Sequence, residues 1–274
     1  MVLESIVNPI SAEKKPWEMF FIGLVYSSVA IVLSLYIFRE YASLVMIFLT
    51  VLASVPLMYS TIKMEEKKDL IIENESALLR EHGKALSLFM FLFIGFVVSF
   101  MLWHTFLPDN LKADLFKIQE SEIIKVESVG MGPTGNAVNI MSTLGNIFLN
   151  NIWVLLFSLL FAFFYGAGSI FILTWNASII GAAIGIFVRG SSFGYLSSIP
   201  LGLLRYFIHG APEMLAYFIA GLAGGIISIA IIRHDFATDK YKHILVDSID
   251  LILLSVVVLF VAAMLEVFVT PLLF

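Results

Sequence analysis

The sequence predicts an all-α fold, a polytopic transmembrane helix bundle of about seven spans. Three observations carry this. Across 274 residues, 60% are hydrophobic and 14% charged, and mean hydropathy is +0.98, far from the usage of a soluble domain. Several apolar runs reach the roughly 20 residues that span a bilayer. The long apolar stretch from Asn150 to Arg233 is broken by glycine, proline and the ionisable Arg189, Arg205, His209 and Glu213. Hydrocarbon satisfies neither loose backbone groups nor charges, so such breaks survive where protein or water surrounds them. They predict a discontinuous or re-entrant region near 177–212.

The same composition excludes several function classes. Net charge is −5 without a basic tract, which argues against nucleic acid as a partner. There is no cysteine, so disulfide and thiol chemistry are excluded. The opening MVLESIVNPISAEKKPWE has no basic n-region followed by an apolar h-region, and does not read as a signal peptide.

In order, residues 1–12 suggest a short interfacial helix that Pro9 would break. Residues 1–62 form the amino-terminal tail and first two spans, Met19 to Phe38 and Tyr41 to Ile62, with Pro56 as a kink. Residues 63–86, KMEEKKDLIIENESALLREHGKAL, are rich in helix formers and charge and carry only a partial apolar stripe; they predict a solvated cytoplasmic helix that then enters the membrane. Residues 87–274 follow as one transmembrane domain. Its first span is Ser87 to Leu107, and His104 reads as interfacial. The loop 108–147 holds acids Asp109, Asp114, Glu120, Glu122 and Glu127. Its VGMGPTGNAVN piece at 129–139 lacks the preceding strand and following basic residue of a phosphate loop. A fourth span is expected at Asn151 to Thr174, a sixth at Pro212 to Ile232 and a seventh at Leu251 to Leu273.

The fifth segment has two readings. Ala177 to Val188 is short, about 18 Å of helix against a core of roughly 30 Å. Either 177–208 is a re-entrant hairpin turning at Arg189–Gly194, or the span reaches Leu196 and 197–208 lies along the interface. Seven crossings place Lys14, Lys15, Lys63, Lys67, Lys68, Arg80, Lys84, Arg233, Lys240 and Lys242 on one side. The positive-inside rule then favours a cytoplasmic amino terminus and an external carboxyl terminus.

The segment FLNNIWVLLFSLLFAFFYGAGSIFILTWNASIIGAAIG, followed by HGAPEMLAYFIAGLAGG, resembles the stage II sporulation protein M family in its archaeal form. The resemblance rests on the Asn150–Asn151 entry, the Gly166-x-Gly168 pair, the Trp175-Asn176 exit, and the His209-Gly210-x-x-Glu213 element. It covers roughly residues 82–270 and omits the first two spans. It implies a multi-span membrane fold, and by its founding member in endospore-forming bacteria a scaffold that recruits cell-wall-degrading partners.

Gly181-x-x-x-Gly185 and Gly221-x-x-x-Gly225 place small residues on one helix face, allowing close backbone approach within the monomer or in a homo-oligomer. Gly190-Ser191-Ser192-Phe193-Gly194 matches the Gly-x-Ser-x-Gly nucleophile pattern, but no strand precedes it and His209 is the lone nearby base. His209 and Glu213 have metal-ligand spacing, yet Pro212 disturbs the turn and no third ligand is visible. No catalytic constellation, cofactor or metal site is therefore expected. Arg189, Arg205, His209 and Glu213 are expected to form a shared polar cluster, with Glu213 paired to one of the three bases. Two functions fit: a non-enzymatic scaffold for protein partners on either side of the bilayer, and a transporter or channel subunit for a small solute.

Overall fold

The computed structural model describes residues 9–72, 74–130, 140–165, 168–233 and 239–273. Helices joined by short turns make up these residues: α1 (Pro9–Lys14), α2 (Glu18–Ile37), α3 (Ala42–Asp69), α4 (Glu75–Phe106), α5 (Asp109–Leu115), α6 (Lys117–Gly130), α7 (Ile140–Tyr165), α8 (Ser169–Gly190), α9 (Tyr195–Arg233), α10 (Asp239–Met264) and α11 (Thr270–Leu273). Among the described residues, 7 helices are long and apolar enough to cross a membrane. The end holding α1 and the α3–α4 turn is termed proximal here, and the end holding α5, α6 and the α8–α9 turn distal.

Two buried helices organise the rest. α4 packs against α2 and α8, while α9 packs against α7 and α10 and also meets α8. The peripheral α2, α7 and α10 turn large apolar side chains outward, among them Phe21, Trp153 and Leu253, as suits helices whose outer face meets lipid. Close approach is enforced by small residues rather than by apolar drive. A Cβ on Gly181 would lie 2.6 Å from Phe100 Cβ and 3.0 Å from Val97 O of α4; one on Gly221 would lie 2.7 Å from Ser169 Oγ. Gly185 sits over the His104 ring, and Gly225 is buried in α9. Gly23 and Gly95 form a further crossing, each facing backbone of the partner helix, which the sequence pattern did not mark.

Several boundaries differ from expectation. Of the helix expected at 1–12, residues 1–8 lie outside the described residues, and Pro9 belongs to α1. The charged stretch 63–86 is not one helix. Its first part completes α3, and α4 restarts after a turn, where Asn74 Oδ1 accepts from Ala77 N at 3.0 Å, an N-cap. The expected span Asn151 to Thr174 is split. α7 already includes Ile140, eleven residues earlier, and α8 starts at Ser169 with Gly168 as its N-cap. The polar loop 108–147 is largely helical, as α5, α6 and the start of α7. The phosphate-loop candidate at 131–139 lies outside the described residues.

The discontinuity near 177–212 is confined to a short turn at 191–194, where Gly194 has φ 74. The segment 197–208 is part of one long helix: α9 runs through Pro200 and Pro212 to Arg233. Neighbouring helices can hold a proline-containing helix together where an isolated one would break.

The proximal end carries a buried charge layer. His82, 2% exposed at its side chain, stands between Glu65 (Nδ1 to Oε2, 2.8 Å) and Asp69 (Nε2 to Oδ1, 3.0 Å). Lys68 reaches Glu65 at 2.7 Å and Glu13 of α1 at 3.0 Å. Burial and the nearby Glu65 push the Glu13 carboxyl up to about 7.

Candidate functional site

The distal end holds a roofed polar site. Its roof, α5 and α6, is anchored by buried groups. Ser43 Oγ donates to Gln119 Oε1 at 2.7 Å, and Gln119 Nε2 donates to Ser178 Oγ at 3.3 Å. Leu115 and Phe116 are fully buried beside it. His104 Nε2 meets Glu120 Oε1 at 2.9 Å, and Lys112 lies 3.4 Å from the same oxygen. Arg39 adds an ion pair to Asp114 at 2.7 Å. The acidic loop is thus a structured lid whose charges are spent largely on the bundle.

Two neighbouring cavities lie beneath α6. The first, about 570 Å³, is lined by Asn150, Asn151, His209, Glu213 and Glu266, with Lys125 at its roof. The second, about 560 Å³, is lined by Trp175, Asn176, Phe157 and Tyr206, with Glu122 and Ile123 from α6. Asn150 lines both. Local structure explains these placements. Asn150 and Asn151 lie near the middle of α7, Ile140–Tyr165. Trp175 and Asn176 face them from α8, where Asn176 Nδ2 donates to Ile172 O at 2.8 Å. Glu266 sits in a π-helical turn, Leu265–Val269, that ends α10; such turns re-aim side chains and recur at functional sites.

The four ionisable residues singled out in the sequence do not form one cluster. Glu213 accepts a hydrogen bond from Asn151 Nδ2 and makes no ion pair among the described residues. His209 Nδ1 lies 3.2 Å from Thr270 Oγ1 and shares the first cavity with Glu213. Arg205 lies elsewhere, its guanidinium carbon 5.7 Å from the Phe187 ring centroid, a cation–π distance. Arg189 closes the distal end of α4 instead. Its Nη1 donates to the carbonyls of His104, Thr105 and Leu107 at 3.0–3.3 Å, and its Nη2 pairs with Asp109 at 2.5 Å. A cation there meets unsatisfied C-terminal carbonyls. Ser192 of the Gly-x-Ser-x-Gly pattern lies exposed in the α8–α9 turn.

Of the resemblance residues, Asn150, Asn151, Trp175, Asn176, His209 and Glu213 converge on the two cavities. Gly168 precedes α8, and Gly166 lies outside the described residues. Sequence reasoning missed Glu266, whose neighbours in the first cavity are distant in the chain. It also missed the Gln119 anchor and the Glu65–His82–Asp69 layer. The i, i+4 spacing of Glu65 and Asp69 was the available signal for that layer, since it puts both on one helix face.

A family model described as Stage II sporulation protein M matches residues 85–271. No curated protein and no solved structure shows significant similarity to the chain. The matched region contains both cavities and the roof, and leaves α1, α2 and α3 outside it.

Proposed function

The chain belongs to the stage II sporulation protein M family, and from that premise we propose that it is a non-enzymatic membrane scaffold that holds a protein partner on the α5–α6 roof. One observation carries this reading. Beneath Glu213 the bundle closes: Met214, Tyr217, Phe218, Leu222, Ile226 and Ile229 of α9 are buried, and Gly224 lies against α7 backbone. A polar site at one end, sealed from the other by a packed core, suits recognition at a face better than passage through the bundle. The basic residues support an orientation with the amino terminus and proximal end cytoplasmic and the carboxyl terminus outside. Single cysteines at the exposed Ser76 and Ser121 then label from opposite sides, Ser76 from the cytoplasm.

The cavities themselves favour a second reading, a transporter subunit, because carboxylates and amides facing a cavity are what a solute site needs. Purification in mild detergent with partners retained separates the two. The scaffold reading expects a stoichiometric protein bound on the distal side and lost when α6 is displaced. Co-purification of an ATPase on the proximal side, with solute flux in proteoliposomes, would favour transport.

A further inference from the structure

At the proximal end a third cavity, about 360 Å³, opens between α1 and α3. Tyr59, Ser60, Lys63, Met64 and Lys67 of α3 line it, with Pro9 and Ile10 of α1 at its edge. We propose that this cavity binds the phosphate of an anionic phospholipid, whose acyl chain lies against the outer face of α3.

The chemistry of the lining calls for an anion. Among the described residues its polar side chains are two ammoniums and two hydroxyls, with no acid, and none of these four side chains makes a hydrogen bond or ion pair. The acids nearest in the chain are engaged elsewhere. Glu65 and Glu13 hold Lys68, Glu65 also meets His82, and Glu66 is buried in the bundle. Lys63 and Lys67 stand about one turn apart on α3, and like charges at that spacing repel. A phosphate between them relieves the repulsion, and its oxygens accept from ammonium and hydroxyl alike.

The helix that carries these donors favours a lipid over a soluble phosphate. On α3, Phe48, Leu52, Val55 and Tyr59 are exposed, and they recur every three or four residues, along one face. Lys63 and Lys67 continue the same row, about 6 Å and 12 Å beyond Tyr59 along the axis at the helical rise. The row is apolar within the span and turns basic where the charged KMEEKKD closes α3. An apolar row that ends in a donor-lined pocket at the membrane boundary matches an amphiphile, with its acyl chain along the row and its phosphate at the end. Tyr59 stands at the join, the level at which tyrosine is enriched in membrane proteins. A zwitterionic headgroup would bring its own cation toward the lysines, whereas an anionic one does not. The site lies outside residues 85–271 matched by the family model and is independent of the distal reading.

The test titrates the full chain in mild detergent with phosphatidylglycerol or phosphatidylcholine and counts bound lipid by native mass spectrometry. Phosphatidylglycerol is expected to bind in preference. Lys63→Gln and Lys67→Gln, the second at an exposed position outside the packed core, should each weaken phosphatidylglycerol binding roughly fivefold, the worth of one lysine beside an anionic headgroup, and leave phosphatidylcholine binding unchanged. Lys84→Gln removes the same charge at the same end, from a lysine that pairs with Glu81 and does not line the cavity; it should leave the preference intact. Equal binding of the two lipids overturns the proposal, as does an equal loss in all three variants, which would show attraction to net charge alone. Displacement of phosphatidylglycerol by inorganic phosphate at equal concentration overturns the lipid source.

Discussion

Replacing Gly224 by alanine tests the close-packed core that seals the distal site. The new Cβ would sit 2.6 Å from the Leu159 carbonyl oxygen of α7 and 3.2 Å from Ala162 Cβ, where ordinary contact begins at 3.4 Å. The carbonyl belongs to a helix, so α7 and α9 must separate by about 0.8 Å or distort, and overpacking of this kind costs roughly 1–3 kcal/mol. Helix propensity opposes it, since alanine is favoured over glycine by about 1 kcal/mol. The net expectation is a loss of roughly 0–2 kcal/mol. Gly83→Ala gives the opposite sign: nothing lies within 4 Å of its Cβ and the residue is exposed on α4, so propensity alone should stabilise it by up to about 1 kcal/mol. Reversible unfolding in mixed micelles reads both. Equal shifts in the two variants would refute the crossing.

Three further expectations follow from the polar contacts. Asn151→Leu removes the donor to Glu213 and should cost roughly 1–3 kcal/mol; adding Glu213→Leu should recover part of this in the same unfolding assay, whereas additive losses would show that the two groups are uncoupled. Gln119→Ala removes the link among Ser43, Ser178 and the roof, so hydrogen exchange in α6 should accelerate while α9 is unchanged; uniform exchange would show that the roof is held by other groups. Glu13, with its carboxyl raised to about 7 from 4.5, stays protonated in the docked helix at pH values where the free carboxyl has ionised. Docking of α1 should therefore be strongest below about pH 4.5 and be lost progressively as pH rises to about 7. Hydrogen exchange of α1, corrected for intrinsic rates, should rise over that window in the native chain and stay flat in Glu13→Gln; a flat native profile would contradict the burial of Glu13.

The fold class was legible because apolar run length alone dictates a spanning helix, and the family followed from a few short motifs. Helix ends were harder. Pro200 and Pro212 look like breaks in sequence, yet α9 passes through both because its neighbours hold it. Gly168 was expected within a span and instead caps the start of α8. Asn150, Trp175 and His209 could be singled out locally, since each stands out against an apolar background. Their pairing could not be read: Glu213 answers to Asn151, a neutral amide 62 residues away, and not to the bases nearest in sequence. Arg189 was drawn away by the open carbonyls of α4, a demand that arises only once α4 and α8 are packed together. The charged stretch 63–86 hid its function for a similar reason, because Glu65, Asp69 and His82 are buried only by the return of α4 and the approach of α10.

The scaffold reading stands or falls on what touches the roof in the native membrane. A photo-crosslinking residue at Ile124 of α6, 64% exposed, is predicted to give one discrete protein adduct that is lost in Gln119→Ala. The same residue at Leu253 of α10, 59% exposed, should give lipid adducts alone. Lipid adducts alone at both positions, together with solute flux through the purified chain in proteoliposomes, would contradict a scaffold and leave transport as the reading of the distal cavities.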